Sequence, residues 1–139
     1  MITKEERYFQ LCLRVFAAVV GPPALLCAFM PYSWMNAIHG WLGMGELCQE
    51  PIVGYLARSI SAMYAMFAGM FWVLTYDVRR HRLPLCYLGA ASILFGLLLL
   101  GIDLYEEMPL WWSLGEGPGT VVMGIVILLF SYRIRPQNV

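Results

Sequence analysis

The sequence predicts an all-α integral membrane protein, a bundle of four transmembrane helices with a short interfacial helix in the first outer loop. Of its 139 residues, 60% are hydrophobic and 13% are charged, whereas about 25% of the residues in soluble proteins are charged. Four apolar stretches approach or reach the roughly 20 residues that a helix needs to cross the hydrocarbon core. Almost all basic residues fall on one side of these stretches, as in membrane proteins of fixed orientation. The length leaves room for one domain, residues 1–139.

The four predicted spans follow the apolar stretches, at about 8–31, 52–76, 83–104 and 110–132. The first span contains the sequence GPP, in which Pro22 and Pro23 remove backbone donors. We therefore expect a kink or break in this helix near the middle of the membrane. Pro51 suits the first position of a helix, so the second predicted span begins at this residue.

The connection between the first two predicted spans has the pattern of an interfacial helix at about 33–43. Ser33 is of a residue type that caps helix N-termini. Apolar side chains then recur at helical spacing and form one face, namely Trp34, Ile38, Trp41 and Leu42. A short helix rich in tryptophan suits the outer membrane interface, where aromatic side chains gather.

The distribution of basic residues predicts the orientation of the chain. Eight of the nine fall on one side of the predicted spans: Lys4, Arg7, Arg14, Arg79, Arg80, Arg82, Arg133 and Arg135. The positive-inside rule assigns this side to the cytoplasm, so both termini are expected there and the protein is expected in the plasma membrane. Arg14 lies inside the first span, but its side chain leans toward the cytosol and is expected to need no partner.

The outer side is acidic and holds one basic residue, Arg58. Its acidic residues are Glu46, Glu50, Asp103, Glu106, Glu107 and Glu116. Helix geometry directs Arg58 outward and Asp103 back into the membrane, where a carboxylate needs a cation. We therefore expect Arg58 to lie among Asp103, Glu116 and Glu46. This cluster is either a structural clamp at the outer end of the bundle or a ligand or proton site, since ionisable residues inside membranes often mark such sites.

The remaining chemistry of the sequence is sparse. His39 is expected outside and His81 inside, so the two cannot jointly bind a haem or metal. The four cysteines show no C-x-x-C spacing, and no catalytic triad or H-E-x-x-H pattern is present. We therefore expect no enzymatic activity and no cofactor. A net charge of zero gives no reason to expect nucleic-acid binding.

Small residues recur at steps of three or four along three of the predicted spans. They are Gly54, Ala57, Ser61, Ala65 and Ala68 in the second, Gly89, Ser92 and Gly96 in the third, and Thr120 and Gly124 in the fourth. Such residues allow helix backbones to approach closely inside a membrane. We interpret the stripes as contacts within the bundle, with a homodimer face as the alternative.

The chain resembles small four-helix bacterial membrane proteins of the DoxX-like type. The resemblance spans most of the length and is carried by WMNAIHGWLGMGEL (34–47), YLARSISAMYA (55–65) and GEGPG (115–119). It implies a four-helix architecture and the inner membrane of a bacterium, and it suggests links to quinones, redox complexes and partner enzymes. No functional residue is carried over from it.

Two functions are consistent with these patterns. The first is a non-catalytic accessory protein of the membrane that associates with another membrane protein or with a second copy. The alternative is a protein that binds or carries a small apolar molecule, such as a quinone or a lipid, in an outer-half pocket. That pocket would be formed by Trp34, His39, Trp41, Arg58, Tyr64 and Glu116.

Overall fold

The computed structural model describes residues 3–134, and every regular element in this part of the chain is a helix. The helices are α1 (Lys4–Phe29), α2 (Tyr32–Trp41), α3 (Pro51–Leu74), α4 (Arg82–Tyr105) and α5 (Leu110–Arg133). Four of them, α1, α3, α4 and α5, are long and apolar enough to cross a membrane. They match the four predicted spans to within a few residues at each end.

The short helix α2 confirms the predicted helix in the first long connection, although it begins in a different way. Its N-cap position is occupied by Pro31, whose ψ angle of 146° is extended, and no side chain caps the helix. Ser33 therefore lies inside the first turn and is not the cap, so this detail of the prediction was wrong. Pro31 decides the start because its ring disfavours a helical conformation at the residue before it. In α3, Pro51 occupies the first helical turn after Glu50, as predicted.

Helix α1 continues through the two prolines, so of the expected kink or break the break does not occur, and the kink stays a prediction. Pro22 and Pro23 both lie inside the helix, which ends only at Phe29. Each proline removes one backbone donor but leaves the other hydrogen bonds of the helix in place. Gly21, the residue before Pro22, lacks the Cβ atom that the proline ring would otherwise crowd.

The chain divides into two compact units. One consists of residues 12–75, and the other consists of residues 3–11 and 76–134 of the described chain. The second unit contains the hairpin formed by α4 and α5, whose backbones touch. A Cβ atom added to Gly96 would lie 2.6 Å from the carbonyl oxygen of Gly117, and one added to Gly124 would lie 2.7 Å from that of Gly89.

These contacts place three of the glycines in the predicted stripes, Gly89, Gly96 and Gly124, at an intramolecular helix contact. The stripe prediction did not include Gly117, which contributes equally to the contact. At Gly96, Gly117 and Gly124 an added Cβ atom would lie less than 3.0 Å from backbone atoms of the other helix, so these three positions require glycine.

The first unit is held by side-chain contacts between α1 and α3. Phe16 meets Phe71 edge to face at a centroid distance of 5.6 Å. The half-buried Arg14 donates from Nε to the Thr75 hydroxyl at 2.9 Å and stacks over the Trp72 ring at 5.9 Å. The expectation that Arg14 needs no partner was therefore wrong: its guanidinium binds within its own unit.

Candidate functional site

The eight residues of the predicted outer site are divided between the two units. Asp103 and Glu116 belong to the unit that contains α4 and α5, and the other six belong to residues 12–75. These six are Trp34, His39, Trp41, Glu46, Arg58 and Tyr64. The pairing of Arg58 with Asp103 or Glu116 stays a prediction.

Arg58 binds the chain segment that follows α1. It lies two turns into α3, is exposed, and donates from Nη2 to the carbonyl oxygen of Met30 at 3.2 Å. Met30 is buried and directly follows the last residue of α1. Carbonyl groups at the end of a helix have no partner within the helix, so a guanidinium is well suited to satisfy one of them. Arg58 thus fastens α3 to the end of α1.

His39 shapes the loop that connects α2 to α3. Its Nδ1 atom lies 3.0 Å from the carbonyl oxygen of Gly45, and Gly43 and Gly45 adopt the left-handed backbone conformation with φ values of 77° and 80°. Glycine tolerates this conformation at no steric cost. The next residue, Glu46, is exposed. The structure therefore gives His39 a local role in the loop.

Two further side chains of α2 hold the same loop. The Asn36 side-chain oxygen accepts the Leu47 N–H at 2.7 Å, and the Tyr32 hydroxyl contacts the carbonyl oxygens of Leu47 and Cys48. Desolvation, and after it the Coulombic interaction with Cys48, raise the pKa of the Tyr32 hydroxyl above its ordinary value.

The two tryptophans of α2 are exposed. Trp34 is 60% exposed and Trp41 is 84% exposed. Tyr64 is half-buried further along α3. Among the described residues, Arg58 and His39 do not hydrogen-bond to a common group. Arg58 donates to the carbonyl oxygen of Met30, and His39 contacts the carbonyl oxygen of Gly45.

Asp103 is the most unusual polar residue of the other unit. It is 5% exposed, and its Oδ2 atom has no hydrogen-bond partner within residues 3–134. A buried carboxylate oxygen without a partner is costly, and such groups commonly mark a functional position. Glu116 has a partner one turn away, since its Oε2 atom accepts the Trp112 indole N–H at 2.5 Å. Of these two acids, Asp103 is the one with a buried carboxylate oxygen that lacks a hydrogen-bond donor within residues 3–134.

The sequence analysis missed an ion pair at the start of α1. Thr3 and Glu6 form a reciprocal capping box: the Thr3 hydroxyl accepts the Glu6 N–H at 3.2 Å, and the Glu6 carboxylate accepts the Thr3 N–H at 2.8 Å. The same carboxylate accepts two hydrogen bonds from Arg79, at 2.6 and 2.9 Å. These bonds raise the pKa of the Arg79 guanidinium, which is charged at any accessible pH.

One signal for this arrangement was present in the sequence. The spacing T-x-x-E just before an apolar run is typical of a capping box. Arg79 contributed only to the predicted orientation of the chain, so its pairing with Glu6 was not predicted. The partner 73 positions away cannot be deduced from local spacing.

A cavity of about 560 Å³ lies beside this ion pair, and we call it the terminal cavity. It is lined by residues 3–6 and by Arg79, Phe130, Arg133 and Ile134. Phe130 is held in place by a stacked contact with Phe9, with ring centroids 5.1 Å apart. The cavity lining thus combines an apolar wall, formed by Phe130 and Ile134, with charged side chains.

The chain matches no protein-family model, no curated protein and no solved structure. Within residues 3–134, no three His, Cys, Asp or Glu side chains are grouped so that they could hold a metal ion. The function must therefore be inferred from the residues of this chain.

Proposed function

We propose that this chain is a non-catalytic accessory protein of the plasma membrane, which crosses the membrane four times and associates with another membrane protein or a second copy through α5. The observation that carries the proposal is a second pair of glycines on this helix. Gly115 and Gly119 are exposed, and a Cβ atom added to either would meet no atom of residues 3–134 within 4 Å.

The two sets of glycines lie on different faces of α5. Gly117 and Gly124 pack against α4, whereas Gly115 is two residues from Gly117, which corresponds to about 200° around a helix. Gly115 and Gly119 are four residues apart and so share one face. This G-x-x-x-G spacing is typical of helix pairs that associate inside membranes. The exposed Leu114 and Val122 flank the glycines with apolar surface.

The test uses substitutions that the chain itself can accommodate. Gly115→Ile combined with Gly119→Ile fills space that is open within the structure, so the fold is expected to remain. Complexes purified from native membranes in mild detergent would be compared by mass spectrometry. We expect the stoichiometric partner, or the second copy, to be lost from the double variant and retained in a matched control, Gly101→Ile, which fills equally open space on α4. An unchanged complex in the double variant would refute the proposal.

The proposed orientation has a separate test. Both termini are placed in the cytoplasm on the basis of the eight-to-one division of basic residues. A variant with Cys48 as its only cysteine should react with an impermeant thiol reagent added to intact spheroplasts, and a variant with its only cysteine at position 81 should not. The opposite pattern would show that the orientation is reversed.

A second candidate function is the binding of a quinone or lipid near Arg58, which is supported by the exposure of this residue. Only the bond from Nη2 to Met30 engages its guanidinium among the described residues. Against a ligand cleft, the α1 and α3 backbones approach closely at Gly21, where an added Cβ would lie 3.1 Å from the Cβ of Ala68. Titration of quinones and lipids against the tryptophan fluorescence decides between the two functions. Saturable quenching that is lost in Arg58→Gln and kept in Arg80→Gln would favour the ligand-binding function.

A further inference from the structure

We propose that the terminal cavity binds the phosphodiester headgroup of an anionic phospholipid. The cavity volume of about 560 Å³ lies within the roughly 300–1,000 Å³ that is typical of small-molecule sites. The cavity lies where α1 begins and α5 ends, on the side of the chain that carries eight of the nine basic residues. This inference does not depend on the association proposed for α5.

The charges that line the cavity are suited to a single negative charge. Arg79 is occupied by Glu6, which leaves Lys4, Arg133 and Glu5. These three groups carry a net charge of +1, and both Lys4 and Arg133 are exposed with no ion-pair partner within residues 3–134. Lysine and arginine are the side chains that bind phosphate oxygens, arginine in a bidentate manner. A phosphodiester carries the complementary charge.

The apolar wall favours a lipid over a free phosphate ion. Phe130 is half-buried, and Ile134 is 5% exposed beside the basic residues. A ligand that fills the cavity must therefore combine a phosphate with an apolar part, as a phospholipid does at the boundary between headgroups and acyl chains. The Glu6–Arg79 pair stabilises the cavity because it joins the first turn of α1 to the turn before α4.

The proposal is tested by native mass spectrometry of the purified full chain titrated with phosphatidylglycerol, phosphatidylcholine or inorganic phosphate. We expect one saturable phosphatidylglycerol site. A basic residue near an anionic lipid contributes about 1 kcal/mol, so Lys4→Gln and Arg133→Gln should each weaken binding about fivefold and the double variant about thirtyfold. The matched control is Arg80→Gln, which removes an exposed charge outside the cavity and should bind as the unmodified chain does.

The other outcomes would overturn the proposal. Equal phosphatidylglycerol affinity in the double variant and the unmodified chain would exclude the cavity as the site. Equal affinity for phosphatidylcholine would exclude recognition of the anionic headgroup, and binding of inorganic phosphate without a preference for lipid would exclude a role for the apolar wall. Thermal unfolding of each variant shows whether it is folded. If the double variant does not fold, the affinities of the two single variants are compared with that of the unmodified chain.

Discussion

The α4–α5 hairpin and the α1–α3 contact hold their helices together in two different ways. In the hairpin, four glycines bring the two backbones close together, with the nearest backbone atom of the facing helix 2.6–3.0 Å from the position of an added Cβ atom. Between α1 and α3, side chains fill the space, with Phe16 against Phe71 and Arg14 against Thr75 and Trp72. Backbone atoms in contact cannot move aside for an added methyl group, whereas a side chain can adopt another rotamer. The hairpin should therefore be far less tolerant of substitution.

The largest effect is expected for Gly96→Ala. The new methyl group would lie 2.6 Å from the Gly117 carbonyl oxygen and 2.8 Å from the Val121 backbone nitrogen, so the two helices must separate. Overpacking of this kind costs about 3 kcal/mol, which exceeds the gain of about 1 kcal/mol from the better helix propensity of alanine. The measurement is the free energy of unfolding in mixed detergent micelles.

The matched control for this prediction is Gly101→Ala, five residues further along α4. An added Cβ at Gly101 meets nothing within 4 Å, so this variant should be as stable as the unmodified chain or slightly more stable. Equal losses at positions 96 and 101 would show that the cost arises from the helix itself and not from the contact with α5.

The next largest effect is expected for Arg14→Ala. This change removes a hydrogen bond from a charged donor to Thr75 and a cation–π contact with Trp72, which together contribute about 1.5 kcal/mol. Arg7→Ala is the control, because Arg7 is an exposed arginine of the same helix. If thermal unfolding showed both variants to be equally stable, the contacts of Arg14 would contribute nothing measurable.

The sequence predicted the helices well because their signals are local. Apolar runs determined the four long helices to within a few residues, and Pro51 determined the start of α3. The predicted cap at Ser33 was wrong because the start of α2 is determined by the backbone conformation at Pro31 and not by a side-chain cap. The prolines of α1 do not end the helix, and Gly21 reduces the clash between the Pro22 ring and the residue before it.

The candidate site was harder to predict because its contacts join distant parts of the chain. The bond from Arg58 to Met30 spans 28 positions, and the pair of Glu6 with Arg79 spans 73. Charge counting assigns each side chain to a side of the membrane but does not identify its partner. The buried Asp103 was recognised because an acid near the outer end of an apolar run is unusual in sequence alone.

A smaller effect than that of Arg14→Ala is expected for Gly21→Ala, which makes the same change as Gly96→Ala in the other region. Here the new methyl group would meet only the Cβ atom of Ala68, at 3.1 Å. A shift of a few tenths of an ångström relieves this contact, and helix propensity offsets part of the cost. We expect the free energy of unfolding to change by less than about 1 kcal/mol. A loss as large as that of Gly96→Ala would show that α1 and α3 are as rigidly packed as the hairpin.

The smallest effect is expected for Arg79→Lys, which tests whether geometry or charge matters at the capping box. Lysine keeps the charge but cannot make the two parallel bonds from Nε and Nη2 to the Glu6 carboxylate. Because the Arg79 side chain is one-third exposed, water screens the pair and the midpoint of thermal unfolding should fall only slightly. Arg80→Lys is the control in the same turn, since Arg80 is exposed and donates to Asp77 through its backbone N–H, which lysine retains. If the two lysine variants unfold at the same temperature, the bidentate geometry of Arg79 contributes nothing and the pair acts through charge alone.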